Sequence, residues 1–221
     1  MLKEKIAIFI LILSLVYILP MKSANQQEDH HKRSSDDRVF YFERQTLTID
    51  NFEAEGYILD IGGGGEGVIG QLKEEQVVAI DISKRELEEA PGNPLKIIMD
   101  ARDLKFLNNT FNTAAVFFTF MYIDSSDHEQ VFKELYRVMR PGGRLFIWDV
   151  VFPKRDNNKK EIAVFPFTFK LPDREIKTGY GARWPEKGQG ISHYLQLAQK
   201  TKFKVIVQKT KDRWFFLELK K

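Results

Sequence analysis

From residue 57 to residue 150 the chain alternates short apolar runs with amphipathic stretches, a rhythm that predicts a parallel sheet with crossover helices. Residues 57–61 form a buried-type strand running into glycines, and residues 66–72 can open a helix. Residues 77–81 are the second strand. Ser83 is a good N-cap for a helix over 84–89, which Pro91-Gly92 ends. Residues 95–99 make a third strand, and residues 113–120 a fourth, fully apolar in its middle. Ser126-Asp127-His128-Glu129 reads as a capping box, with Ser126 as N-cap and Glu129 at the third helical position. The helix it opens carries Val131, Phe132, Leu135, Val138 and Met139 on one face. It stops at Pro141-Gly142-Gly143, and residues 144–150 are the fifth strand.

Beyond residue 150 the pattern changes. Residues 151–190 are mixed, with Pro153, Pro166, Pro172 and Pro185 and no clear helical period; residues 164–176 suggest short strands within an insertion. Residues 191–200 predict a helix. Residues 203–208 and 214–219 alternate as two strands, and the short link between them makes the pair antiparallel. The expected fold class is therefore α/β: a Rossmann-like, mostly parallel seven-stranded sheet with helices on both faces and a reversed terminal strand.

Ahead of this region, residues 6–19 are apolar apart from Ser14 and Tyr17, and Lys3 and Lys5 precede them, the layout of a signal anchor or a signal peptide. Cleavage after Ser23 or Ala24 lacks the small-x-small pattern. The expected organisation is a hydrophobic segment at 1–21, a polar linker at 22–38, and one domain at 39–221 with a substrate-side insertion at 151–190. Lysines and arginines flank the apolar segment on both sides and do not select an orientation.

Composition narrows the chemistry. The chain has 221 residues, 43% of them hydrophobic, enough for a sizeable core. Formal charge is +3 on 34 basic and 31 acidic residues, no concentrated basic field, so nucleic acid is not expected as a partner. The absence of cysteine excludes disulfides, thiolate metal sites and cysteine nucleophiles. No metal site is expected.

The candidate chemistry sits at the strand ends. Gly62-Gly63-Gly64-Gly65-Glu66-Gly67 lies between a strand and a helix, where glycine lets a ligand approach the backbone. Asp60 precedes it, and a carboxylate there suits a positively charged amino-acid moiety and repels a pyrophosphate. Asp81 ends the second strand, one βαβ unit later, and can accept both hydrogen bonds of a ribose diol. Asp100-Ala101 ends the third strand; a carboxylate can accept from an adenine amino group while a backbone N–H donates to a ring nitrogen. A tight structural turn, a solvated strand-end aspartate and a cap residue are the plain alternatives for these three features.

Together with Leu135-Tyr136-Arg137-Val138-Met139-Arg140-Pro141-Gly142-Gly143, these pieces resemble the class I (Rossmann-like) S-adenosyl-L-methionine (SAM)-dependent methyltransferases of the small-molecule type. The resemblance covers residues 57–150. It implies that Asp60, Gly62, Gly63 and Gly64 line the methionine part of SAM, that Asp81 with Ile82 holds the ribose, and that Asp100 with Ala101 holds the adenine. It places Thr119 and the residues to Tyr122 beside the transferred methyl. The helices that usually precede the first strand have little room here, because Phe40-Tyr41-Phe42 and Leu47-Thr48-Ile49 look partly extended.

Methyl transfer from a sulfonium is governed by alignment and exclusion of water, so no catalytic triad is required and none is visible. Asp149, at the end of the fifth strand, and Tyr122 are the candidates for a catalytic or substrate contact. His128 reads as a surface residue; His193 is a weaker candidate base. Arg174, Tyr180, Arg183 and Trp184 could wall an acceptor pocket, or pack as an ordinary surface loop. The expected acceptor is a small or lipid-like molecule. The apolar segment implies membrane attachment, and the donor's cytosolic origin places the domain on the cytoplasmic side, with export by a signal peptide as the alternative. A non-catalytic, membrane-tethered SAM-binding module and an NAD(P)-dependent oxidoreductase also share these features, the latter because Gly62-x-Gly64-x-x-Gly67 satisfies the dinucleotide fingerprint.

Overall fold

The computed structural model describes residues 36–156 and 159–221. The expected hydrophobic segment at 1–21 and nearly all of the linker lie outside the described residues. Among the described residues no helix is long and apolar enough to cross a membrane.

Residues Arg38–Lys221 form one compact unit. In chain order it comprises strands β1 (Val39–Tyr41), β2 (Gln45–Thr48) and β3 (Ile58–Ile61), helix α1 (Val68–Lys73), β4 (Val77–Asp81), α2 (Lys84–Glu89), β5 (Leu95–Ile98) and β6 (Phe111–Phe117). A 3-10 turn (Phe120–Tyr122), α3 (His128–Val138), β7 (Met139–Val150), β8 (Ile162–Lys170), β9 (Glu175–Arg183), α4 (Ile191–Lys200), β10 (Lys204–Lys211) and β11 (Trp214–Lys220) complete it.

The main sheet has seven strands in the order β10-β11-β7-β6-β3-β4-β5. Strands β3 to β7 run parallel, and β11 runs antiparallel to both β7 and β10. The expected sheet and its reversed strand are thus present. The chain leaves β3 toward β4 and β5, then crosses back to β6, so β3 and β6 flank the switch point where ligands bind in open α/β sheets.

Each face of the sheet carries its own core. Val131, Phe132, Leu135 and Val138 of α3 and Tyr194, Leu197 and Ala198 of α4 cover one face. The expectation of helices on both faces needs refining for the other. There α1 shares the cover with a second, four-stranded sheet, in which β8 pairs with β9 along one edge and with β1 and β2, end to end, along the other. The insertion is therefore not a set of short strands but a hairpin of two nine-residue strands. The reason lies in Phe165, Phe167 and Phe169, whose period of two puts three fully buried rings on one face, Phe167 and Phe169 against Phe117 and Phe118, and Phe165 against Phe42 and Phe152. Pro166 does not break this strand. The gap between β1 and β2 falls opposite Phe165 and Pro166, where the proline has no N–H to give.

Two local expectations are corrected. Helix α1 starts at Val68, not at residue 66, because Gly67 before it is left-handed at φ 52°. Helix α3 starts at His128 with Asp127 as N-cap and no side-chain cap, so Ser126 does not close a capping box. Asp127 N–H instead bonds Asp124 O at 2.8 Å in a preceding turn, and Glu129 pairs outward with Lys133 (2.7 Å) and Lys200. The Ser83 cap holds: its hydroxyl accepts from Glu86 N–H at 3.3 Å.

Candidate active site

The expected cofactor residues gather at the carboxyl ends of β3, β4, β5 and β6. Gly62 and Gly63 N–H both bond Ile80 O, at 2.8 and 3.0 Å, which ties the loop after β3 to β4. Gly62 has φ +72°, and a Cβ there would overlap Thr119 Oγ1, whose hydroxyl donates to Ile61 O at 2.9 Å. A Cβ on Gly63 would stand 2.6 Å from Asp60 Oδ2, and one on Gly64 would stand 2.6 Å from Glu86 Cβ and 2.9 Å from Asp81 Oδ2. The glycines are thus required first by close packing of the site's own walls.

Asp60 is buried at the base of this loop, and its Oδ1 has no hydrogen-bond partner among the described residues. Burial, then the charge of Asp81, pushes its pKa well above the usual carboxylate range. Asp81 accepts from Ser83 N–H at 2.8 Å, and burial also raises its pKa against the lowering effect of that bond. Ile82, beside it, is an exposed apolar residue at 65% accessibility, available as a flat surface for a ring. Asp100 is partly exposed and already engaged: Arg102 donates to it from Nε and Nη2, at 3.0 and 2.6 Å, and reaches on to Asp127 at 2.8 Å. That guanidinium holds the Asp100 carboxyl below the usual range. Ala101 packs against the core behind it.

The candidates beyond the cofactor residues divide. Tyr122 is half-buried in the turn after β6 and meets Tyr180 of β9 edge-on, with centroids 6.5 Å apart. Asp149 is fully buried; it accepts from Met121 N–H at 3.2 Å and Val150 N–H at 2.7 Å. Burial raises its pKa to about 7. His128 is not a surface residue, as its polarity and place early in a helix suggested, but is fully buried: its Nε2 faces Phe120 O and Ile123 O, and its Nδ1 faces His193 Nε2 at 2.9 Å. The wall along the insertion is also corrected. Arg183 and Trp184 are neighbours on an extended chain and point to opposite sides: Arg183 is exposed, whereas Trp184 is buried against Phe40 and Phe42, its Nε1 donating to Pro153 O at 2.9 Å. Arg174 pairs with Asp173 and reaches Gln71 at 3.2 Å. Tyr180 and Thr178 are the β9 residues turned toward the site; Thr178 Oγ1 bonds Glu66 Oε1 of the glycine-rich loop. The period of two along residues 175–183 places Thr178 and Tyr180 on one face once the segment is read as a strand.

Sheet order, switch-point loop and acidic strand ends define the class I SAM-dependent methyltransferase fold, whose methyl donor is SAM. The chain is similar to proteins of this class: the methyltransferase domain family model matches residues 59–147. The ubiquinone/menaquinone biosynthesis C-methyltransferase UbiE of Desulfotalea psychrophila is 31% identical over 121 residues, 51% of this chain and 46% of that protein. The O-methyltransferase resE of Aspergillus sclerotiorum is 29% identical over 128 residues, 52% of this chain and 48% of that one. The chain spans about half the length of the curated relatives it matches. Among solved structures, a SAM-dependent methyltransferase from Methanosarcina mazei aligns with TM-score 0.55 and 18% identity, over 77% of this chain and 94% of that one. The [4+2]-cyclase SpnF aligns with TM-score 0.53 and 12% identity, over 76% and 75%. The residues present fit the donor: the partnerless, buried Asp60 oxygen is an acceptor beside a loop whose backbone can be approached closely.

Proposed function

We propose that the chain transfers the methyl group of SAM to a small or lipid-like acceptor held between the turn after β6 and strand β9. The observation that carries this reading is Asp60, a buried carboxylate at the base of the glycine loop with one oxygen unpartnered among the described residues. It suits the cationic amino-acid end of SAM and would repel the pyrophosphate of a nicotinamide cofactor. Bound SAM supplies an electrophilic methyl on a sulfonium that leaves without acid assistance. Asp60 with Gly62, Gly63 and Gly64 holds the methionine end, Asp81 and Ile82 the ribose, and Asp100 with Ala101 the adenine. Tyr122 and Tyr180 orient the acceptor and help to exclude water. The relatives are named for carbon and oxygen acceptors, which makes the acceptor pocket rather than the fold the determinant of substrate.

The β8–β9 hairpin supports this reading because it closes over the glycine loop through the Glu66–Thr178 bond. The apolar residues 6–19 support a membrane tether with the domain on the cytoplasmic side, where the donor is made. Protease treatment of right-side-out vesicles checks that location: protection is expected, and digestion of the intact domain from outside overturns it. A second reading, a fold kept for another task, draws on SpnF, a cyclase that shares the fold. Calorimetry with SAM, S-adenosylhomocysteine and NADH, followed by a labelled-SAM screen against lipids, quinones and small metabolites, separates the readings. Binding of the first two and label transfer are expected; binding without transfer to any acceptor favours the second reading, and binding of NADH alone rejects both.

A further inference from the structure

Behind the turn after β6 lies a buried polar cluster: Asp149 of β7, His128 of α3, and Tyr194 of α4, each fully buried. Such groups are costly inside a protein unless every bond is made. Here the bonds converge on one short piece of main chain. Asp149 accepts from Met121 N–H, and the Phe120 N–H also turns to it. His128 Nε2 lies 3.1 Å from Phe120 O and 2.9 Å from Ile123 O, two acceptors, so Nε2 carries the proton. Its Nδ1 is then an acceptor, and half-buried His193 donates to it from Nε2 at 2.9 Å. Tyr194 stacks on the His128 ring and is anchored by Gln189 at 2.7 Å.

The gripped segment needs support. Phe118, just before it, has φ +52°, a left-handed conformation that a bulky residue adopts only when its surroundings enforce it. The same segment presents Thr119 to Gly62 and Tyr122 to Tyr180. A shift there would move the floor of the donor site and the wall of the acceptor site together.

We propose that His128 and Asp149 are a pair of positioning residues that clamp residues 119–123 from behind, Asp149 through the turn's N–H groups and His128 through its carbonyls, and so set the spacing between donor and acceptor. The inference rests on the methyltransferase reading. Neither side chain touches substrate; both act through the main chain of Phe120 to Ile123. His193 holds the His128 tautomer, and Asp127 and Tyr194 are the other titratable groups close to His128, with Tyr194 also facing Asp149.

Hydrogen exchange and calorimetry on the full chain test this. Without any ligand, Asp149→Ala and His128→Leu should speed amide exchange of Phe120 and Met121 by about tenfold or more, the loss of one or two hydrogen bonds. Amides of β6 and α3 away from the turn should stay protected. Affinity for SAM and for S-adenosylhomocysteine should fall, and His128→Gln, which can still donate one way and accept the other, should recover most of it. If the two disruptive variants fail to fold, Asp149→Asn, which sets an amide donor against one of the N–H groups that Asp149 accepts from, carries the test through the same local amides and a KM-against-kcat split once an acceptor is in hand, with His128→Gln as the near-wild-type control. Wild-type protein that does not bind SAM defeats the methyltransferase reading. Wild-type binding with unchanged turn exchange and unchanged affinity in whichever of Asp149→Ala, His128→Leu and Asp149→Asn fold defeats the clamp alone.

Discussion

Gly62 and Thr119 stand so close that a Cβ on the glycine would overlap the threonine hydroxyl, so the loop after β3 and the turn after β6 are one packed unit. Two costs then fall on Gly62→Ala: the left-handed φ of +72° and the overlap. We expect a loss of about 1–3 kcal/mol in stability together with loss of SAM binding. Gly62→Ala combined with Thr119→Ala removes the two closest overlaps, leaves the Cβ of residue 119 at 2.9 Å and the backbone strain in place, and should recover part of the stability. Chemical denaturation of the four-member cycle measures the coupling; strict additivity would show that the two residues do not touch.

Asp81 tests the cofactor assignment from the other side. Its carboxylate organises the main chain at Ser83 while keeping acceptor capacity toward the site. Asp81→Asn should weaken SAM binding by about 1–3 kcal/mol, the worth of a charge-assisted contact. Equal calorimetric affinity in a folded variant would remove the ribose role.

Asp149 and His128 should give the protein opposed pH responses. Asp149 has a pKa near 7 in the folded state against 3.8 for a free side chain, so the folded state binds the extra proton and stability falls as pH rises from about 4 to 7. His128 is lowered to about 4 from 6.5, so the unfolded state binds the extra proton and stability rises over about 4 to 6.5. The contributions, about 4 and about 3 kcal/mol, nearly cancel below pH 6.5. Asp149→Asn should therefore expose acid lability, and His128→Gln should make the protein more stable at pH 4.5 than at 7.5, each relative to wild type. Urea denaturation at the two pH values checks both; parallel pH profiles in all three proteins would contradict the assignment.

Much of the main sheet is legible in the sequence because its strands are apolar runs bounded by glycine, proline and capping residues, and because Asp60, Asp81 and Asp100 fall at strand ends by simple spacing. What escaped was set by tertiary contacts. His128 looks like a surface residue at the start of an amphipathic helix, and only the carbonyls of Phe120 and Ile123 and the ring of His193 explain its burial. Strand β8 was obscured by Pro166, a residue that discourages a strand assignment, although the alternating phenylalanines around it carry the signal. Pairing Arg183 with Trp184 in one wall overlooked the period of two that separates them. Asp149 fell at the right strand end, but no sequence pattern shows that its oxygens are taken by backbone N–H groups.

The contact between Glu66 and Thr178 joins the glycine-rich loop to the second sheet, across more than a hundred residues of sequence. In this chain the β8–β9 hairpin covers that loop, meeting it through this bond and meeting the following helix α1 through the Arg174–Gln71 contact at 3.2 Å. Thr178→Val keeps the strand shape and removes the hydroxyl, leaving Glu66 without this partner. The β9 strand should loosen while the main sheet, whose core does not involve Thr178, stays intact. Limited proteolysis should then cut faster in the exposed link between β8 and β9, at Asp173 or Arg174, and SAM should slow that cut in wild type more than in the variant. Acceptor turnover should fall further than SAM affinity if Tyr180 of β9 borders the acceptor as proposed. Arg183→Ala, on the opposite face of the same strand, should leave cleavage and turnover near wild type. An equal effect of Arg183→Ala and Thr178→Val would mean that the strand matters only as structure and that the Glu66 bond does not latch the cover to the loop.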